Sequence, residues 1–128
     1  MAVREAGEPL KVFVCDDSFG SPTLIRTWCE EFTGVEPVGV ATTAAEMRKM
    51  LPASHADVVL LDLMLPDGIA SPELVAEVRE LMPGIRVVLT SAMTEEILLR
   101  ESRRVGADAH LTKLAPAAEL LSAIVGTD

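Results

Sequence analysis

Apolar residues along this chain alternate between two rhythms. Short, nearly continuous apolar runs rich in β-branched residues recur five times, at KVFVC (11–15), PVGV (37–40), DVVLL (57–61), RVVLT (86–90) and AHLT (109–112). Runs of that length suit strands buried on both faces. Between them, apolar residues fall three and four positions apart, the spacing of an amphipathic helix. Helix starts are marked as well. Ser21-Pro22 and Ser71-Pro72-Glu73 each put a capping serine before a proline at the first helical position. Thr43 with Glu46 reads as a capping box ahead of Met47, Met50 and Leu51, Thr94 precedes the acidic pair Glu95-Glu96, and Pro116 opens a fifth helix. Gly34, Gly84 and Gly106 stand just beyond three helix ends, where a left-handed residue is wanted.

The pattern is a strand–helix unit repeated five times. Such alternation predicts crossover connections and a doubly wound α/β domain, its mainly parallel five-stranded sheet covered on both faces. The domain is expected over residues 11–125, with an extension at 1–10 and a tail at 126–128 that is a possible truncation point of a longer protein. A chain of 128 residues can bury roughly 70% of its unfolded surface, enough for one core. Its 49% apolar and 24% charged residues are those of an ordinary folded protein.

Charge narrows the function. With 20 acidic and 11 basic residues, the formal charge of -9 repels phosphate backbones and anionic membranes, which disfavours direct nucleic-acid binding. No apolar run approaches the ~20 residues of a membrane span, and the opening MAVREAGEPLK has no signal-peptide core, so a cytoplasmic location is expected. Cys15 and Cys29 match neither a disulfide framework nor a metal-ligand cluster and read as buried thiols.

In an open parallel sheet, ligands bind beyond the carboxyl ends of the strands. Asp16 and Asp17 follow the first run, Asp62 the third, Ser91 the fourth and Lys113 the fifth, whereas uncharged Ala41-Thr42 follows the second. Taken singly, an aspartate there is a turn former and a lysine is solvated surface. Together they bring three carboxylates, a hydroxyl and an amine to one edge. Three converging carboxylates need a cation among them, and an all-oxygen set suits a hard ion such as Mg²⁺. An incoming phosphoryl group would occupy the lysine and the hydroxyl, and a free carboxylate attacking phosphorus would give an aspartyl phosphate.

CDD (15–17), LLDLMLPDG (60–68), VVLTSA (87–92) and LTK (111–113), in this order and spacing, resemble the receiver domain of two-component response regulators over residues 11–125. The resemblance implies the CheY-like, flavodoxin-like strand order 2-1-3-4-5. It makes Asp62 the phosphoacceptor for a sensor histidine kinase or a histidine phosphotransfer protein. Asp17, Asp62 and the Met64 backbone carbonyl would bind Mg²⁺ directly, and Asp16 mostly through water. Ser91, with the small Ala92 after it, would be the switch hydroxyl, while Thr90 points into the helix layer. Lys113 would pair with the acceptor and then with the phosphate. Output would pass through the face of the fourth helix, fifth strand and fifth helix, to a partner, to a covalent effector domain such as a DNA-binding one, or to a phosphorylation-dependent homodimer. The chemistry would be self-phosphorylation and autodephosphorylation, not turnover of a metabolite.

Two positions depart from the family. Leu114 stands where a cis proline usually follows the lysine; a cis bond before a non-proline costs about 2.5–4 kcal/mol, so a trans bond is expected. His110, three residues before Lys113, holds the place of the rotating tyrosine or phenylalanine, and the chain contains no tyrosine. Met64 and Met93, two residues beyond Asp62 and Ser91, would flank the phosphoryl group and slow its hydrolysis.

The alternatives are a phosphorylation-independent receiver-like interaction module, supported by Leu114 and His110, a flavodoxin-like cofactor binder and a haloacid-dehalogenase-type phosphohydrolase. The second wants a phosphate-cradling loop where DDSFGSP (16–22) is anionic, and the third an Asp-x-Asp signature that is absent. Asp67 reads as the third residue of a type I turn over 65–68, His55 as loop, Arg100, Arg103 and Arg104 with Leu98 and Leu99 as a solvated face or a partner contact, and Trp28 as core or half-buried helix.

Overall fold

The computed structural model describes residues 9–17, 34–113 and 117–126. Expectations for the first helix, Trp28, Cys29, Leu114 and Pro116 lie outside them. Five strands, β1 (Leu10–Cys15), β2 (Val35–Ala41), β3 (Val58–Asp62), β4 (Arg86–Ser91) and β5 (Ala109–Thr112), form one parallel sheet. Counted in chain order, they lie as β2-β1-β3-β4-β5. The described helices are α1 (Ala44–Ser54), α2 (Pro72–Leu81), α3 (Glu95–Val105) and α4 (Ala117–Val125). They are the second to fifth helices of the sequence reading.

The strands sort their side chains to two cores. Phe13, Val59, Leu61, Val87 and Leu89 pack with Met47 and Leu51 of α1, Val75 and Val78 of α2 and Leu98 of α3. Their neighbours Val12, Val14, Leu60 and Val88 pack with Ile124 of α4 on the other face. Leu98 is therefore core, whereas Leu99 is only half-buried. The middle strands are sealed on both faces, as their unbroken apolar runs require.

Register is pinned below the sheet by two aspartates acting alike. Asp57 donates its amide to Lys11 O (2.8 Å) and accepts Lys11 N–H on its carboxylate (2.9 Å). Asp108 does the same with Val87 O (2.9 Å) and Val87 N–H (2.8 Å). Each closes a ladder end where a backbone amide would lack a partner.

Several boundaries differ from the sequence reading. β2 starts two residues before the expected Pro37; an edge strand tolerates the missing donor there. Asp62 and Ser91 are the last residues of β3 and β4, not the first after them, because the ladder continues through Leu63 N–H to Thr90 O (2.9 Å) and Lys113 N–H to Ser91 O (2.8 Å). Thr43 caps α1 by accepting Glu46 N–H (3.1 Å), but Glu46 accepts from the amide and hydroxyl of Thr42, one residue earlier than a capping box requires. The 65–68 turn is the tip of a small antiparallel hairpin, Met64–Leu65 with Gly68–Ile69. His55 is the left-handed C-cap of α1, with φ 55°. Arg104 is not merely solvated, since it donates to Ala70 O (2.9 Å) and pairs with Glu101.

β1 and β2 slip register between Val12 and Phe13, which brings Gly39 opposite Phe13. A Cβ on Gly39 would lie 2.6 Å from the Phe13 ring. Gly39→Ala should lower the unfolding free energy by about 1–3 kcal/mol in urea denaturation. Combined with Phe13→Leu, the loss should be smaller than the sum of the two single losses, because the smaller side chain relieves the clash.

Candidate functional site

Parallel strands end together, so their C-terminal residues share one edge. Asp16 follows β1 and is tied to β2 through its amide and Ala41 O (2.9 Å). Asp62 ends β3, Ser91 ends β4 and Lys113 follows β5. Asp16, Asp17 and Asp62 each offer a carboxylate oxygen within 4.8 Å of the others. Asp16 and Asp62 are only 1% and 3% exposed, whereas Asp17 is exposed.

Lys113 enters between the two buried acids. Its Nζ lies 2.8 Å from Asp16 Oδ2, 3.1 Å from Asp16 Oδ1 and 3.2 Å from Asp62 Oδ2. The remaining Asp62 oxygen, Oδ1, accepts Met64 N–H at 3.2 Å. Ser91 repeats this device, its Oγ accepting Met93 N–H at 3.2 Å. Asp17, Asp62, Met64, Ser91, Ala92, Met93 and Lys113 line an open cavity of about 360 Å³. Five of the six polar side chains singled out by the sequence thus converge, Asp17, Asp62, Ser91 and Lys113 on the cavity lining and Asp16 through its contact with Lys113. The sixth, His110, lies apart from the cavity lining, its Nε2 3.0 Å from Glu95 Oε1 at the start of α3. Thr90 alternates to the opposite face from Ser91, its Oγ1 buried there with no hydrogen-bond partner among the described residues.

Burial and the neighbouring Asp16 charge push the Asp62 carboxyl up to about 6, against the opposing pull of the Met64 amide and Lys113. One ammonium facing two buried carboxylates and a third close by leaves surplus negative charge. Oxygen-only donors with that surplus fit a hard divalent cation, held by Asp16, Asp17 and Asp62, and suit a zinc-type nitrogen or sulfur site poorly. The nearby Cys15 thiol is buried and donates to Thr43 O (3.4 Å). Its burial, then the charges of Asp67, Asp16 and Asp62, push it up to about 12, which leaves it an inert neutral thiol.

Three contacts had no signal in the sequence. Glu95 as the partner of His110, Thr112 Oγ1 donating to Met93 O (3.2 Å), and Asp67 bonded to the start of α1 all depend on the folded arrangement of separate segments.

The doubly wound sheet with an acidic cluster, a hydroxyl and a lysine on its carboxyl edge is the arrangement of receiver domains, which are signalling domains. The chain belongs to the response regulator receiver domain family, whose description matches residues 12–125. It is 29% identical over 119 residues to the DNA-binding transcriptional activator DevR/DosR of Mycobacterium tuberculosis, covering 90% of this chain and 52% of that protein. It is 31% identical over 115 residues to the response regulator GacA of Pseudomonas syringae pv. syringae, covering 90% and 53%. The chain spans about half the length of these curated relatives. Among solved structures, the signal receiver domain of the putative response regulator NarL from M. tuberculosis superposes with a TM-score of 0.78 at 27% identity, covering 93% of this chain and 95% of that one. The response regulator domain of Thermotoga maritima CheB shares the fold, with a TM-score of 0.76 at 24% identity over 94% of this chain and 99% of that one. Among the described residues no helix is long and apolar enough to cross a membrane.

A raised carboxyl pKa means that the folded state holds its proton more tightly than the unfolded chain. The resulting penalty is absent below about pH 4 and complete above about pH 6, where Asp62 must ionise in place. Without divalent cations, Asp62→Asn should therefore be more stable than the wild type by roughly 1–3 kcal/mol at pH 7. The gain should shrink as pH falls from 6 to 4, measured by urea unfolding across that range.

Proposed function

We propose that this receiver accepts a phosphoryl group on Asp62 from the phosphohistidine of a sensor kinase or a histidine phosphotransfer protein, with Mg²⁺ in the acidic cluster. The observation that carries this reading is the buried Asp62 carboxylate facing Lys113, with two further carboxylates close by. An Asp62 oxygen attacks phosphorus as the P–N bond breaks, and the electron pair leaves with the imidazole, which takes up a proton. Mg²⁺ when bound would offset the charge gathered on the phosphoryl oxygens.

This chain's own groups do the rest. Asp17, exposed on the cavity, would bind the ion directly with Asp62 and the Met64 carbonyl, and Asp16 would act mostly through water, as the receiver resemblance implies. Lys113 stays within reach of Asp62 as the phosphate arrives, which favours replacing the carboxylate's single charge with a group of roughly -2. Ser91 Oγ accepts from Met93 N–H and keeps its own O–H for a phosphoryl oxygen. Drawing Ser91 inward pulls the 92–94 loop, which Thr112 holds at Met93 O, and with it α3 and the Glu95–His110 contact. The face formed by α3, β5 and α4 then signals to a partner, to an attached effector domain, DNA-binding as in DevR/DosR, or to a second copy of the chain.

Incubation with MgCl₂ and an acyl phosphate should add a single phosphoryl group to the intact mass. The adduct should be lost in Asp62→Ala or with a chelator, and should form roughly a hundredfold more slowly in Lys113→Ala. No adduct on the wild type from any donor would leave a phosphorylation-independent interaction module. Met64 and Met93 on the cavity rim offer no group to orient the hydrolytic water. The phosphoryl group should accordingly persist for minutes or longer in the wild type and decay faster in Met64→Asn; a wild-type half-life of seconds would overturn that expectation.

A further inference from the structure

An aspartate between a proline and a glycine ordinarily satisfies its own turn. Asp67 does something else. Its Oδ1 accepts Ala44 N–H at 3.0 Å and its Oδ2 accepts Ala45 N–H at 3.1 Å, 23 and 22 residues earlier in the chain. These are first-turn amides of α1, which have no partner within their helix. Thr43 takes the amide after them, so the cap of α1 is shared between Thr43 and Asp67. The two amides, the Ala44 bond first, hold the Asp67 carboxyl below the usual range.

The other end of the same hairpin bears on the phosphorylation site. Met64 pairs with Ile69 and Leu65 with Gly68, and Met64 N–H holds Asp62 Oδ1. Ala70 anchors the hairpin base, its amide on Leu63 O (2.8 Å) and its carbonyl on Arg104 (2.9 Å). Met64 itself is 48% exposed, so side-chain packing does not fix its peptide. The start of α1 is in turn tied to the acidic pair, through Asp16 N–H to Ala41 O (2.9 Å) and Cys15 Sγ to Thr43 O (3.4 Å). Asp67 closes a ring of contacts that runs from the end of β1, across α1, to the peptide after Asp62.

We propose that Asp67 is a positioning residue for the metal site, setting the Met64 peptide against Asp16 and Asp17 by clamping the hairpin tip to the N-terminus of α1. This rests on the Mg²⁺-dependent phosphoacceptor reading above. A simple helix cap would stabilise α1 and leave the metal unaffected; a positioning residue changes both.

The discriminating pair is Asp67→Ala and Thr43→Ala, which each remove part of the same cap while only the first frees the hairpin. MgCl₂ affinity is measured by calorimetric titration at physiological ionic strength, where exposed charges are screened, with thermal melting alongside. Both variants should melt below the wild type. Thr43→Ala should bind Mg²⁺ within about twofold of the wild type, and Asp67→Ala about tenfold or more weakly, the usual cost of losing a partner that orients a ligand. Asp67→Asn, which keeps one acceptor oxygen, should fall between, and it decides the matter if Asp67→Ala does not fold. Wild-type affinity in the Asp67 variants, or equal weakening in Thr43→Ala, overturns the assignment while leaving the phosphoacceptor reading intact. A wild-type protein that neither binds Mg²⁺ nor takes a phosphoryl group overturns both.

Discussion

The Lys113 ammonium sits between two carboxylates that are almost wholly out of water, 2.8 Å from Asp16 and 3.2 Å from Asp62. Burying ionised carboxylates is costly unless they are paired, and one ammonium cannot balance two acids with a third close by. The edge of the sheet therefore carries surplus negative charge, which a further cation would offset. The fold exists to keep those charges together: β1, β3 and β5 run parallel and end at one level, so residues almost 100 positions apart meet without a loop of their own.

That level is kept by features far from the charges. Asp57 and Asp108 lock the opposite ends of the ladders, so no strand can slip by one residue and turn its acid from the edge into the core. The apolar faces on either side enforce the same register, since Leu61 and Leu60, adjacent in sequence, must enter different cores. Moving Asp62 would mean unpacking both.

What could be read from sequence follows the range of each interaction. Strand number, helix caps at Ser71 and Thr94, and the gathering of Asp16, Asp17, Asp62, Ser91 and Lys113 were legible because they follow from local period and one topological rule. Strand order came only through family resemblance, since five strand–helix units permit several windings. The role of Asp67 was not legible. Pro66 and Gly68 do mark a turn there, but nothing in that segment shows that the start of α1 will lie within reach. Glu46 illustrates the same limit more mildly: the spacing to Thr43 was right, yet the carboxylate chose Thr42, whose amide and hydroxyl together offer two donors where the box offers one.

Asp62 and Ser91 share a geometry. Each ends a central strand, and each takes the amide two residues on, that of a methionine on the cavity rim. The two loops that follow are thereby shaped by the side chains that would meet a phosphoryl group. They are also held by other elements, the first through its own Asp67 bonded to the start of α1 and by Arg104 of α3, the second by Thr112 of β5. The two loops meet at α3, because Arg104 belongs to the helix that the second loop enters. α3 is thus tethered to both sides of the site, once through its first turn and once through its last, and a shift of the Ser91 loop must either carry the Arg104 contact with it or break it.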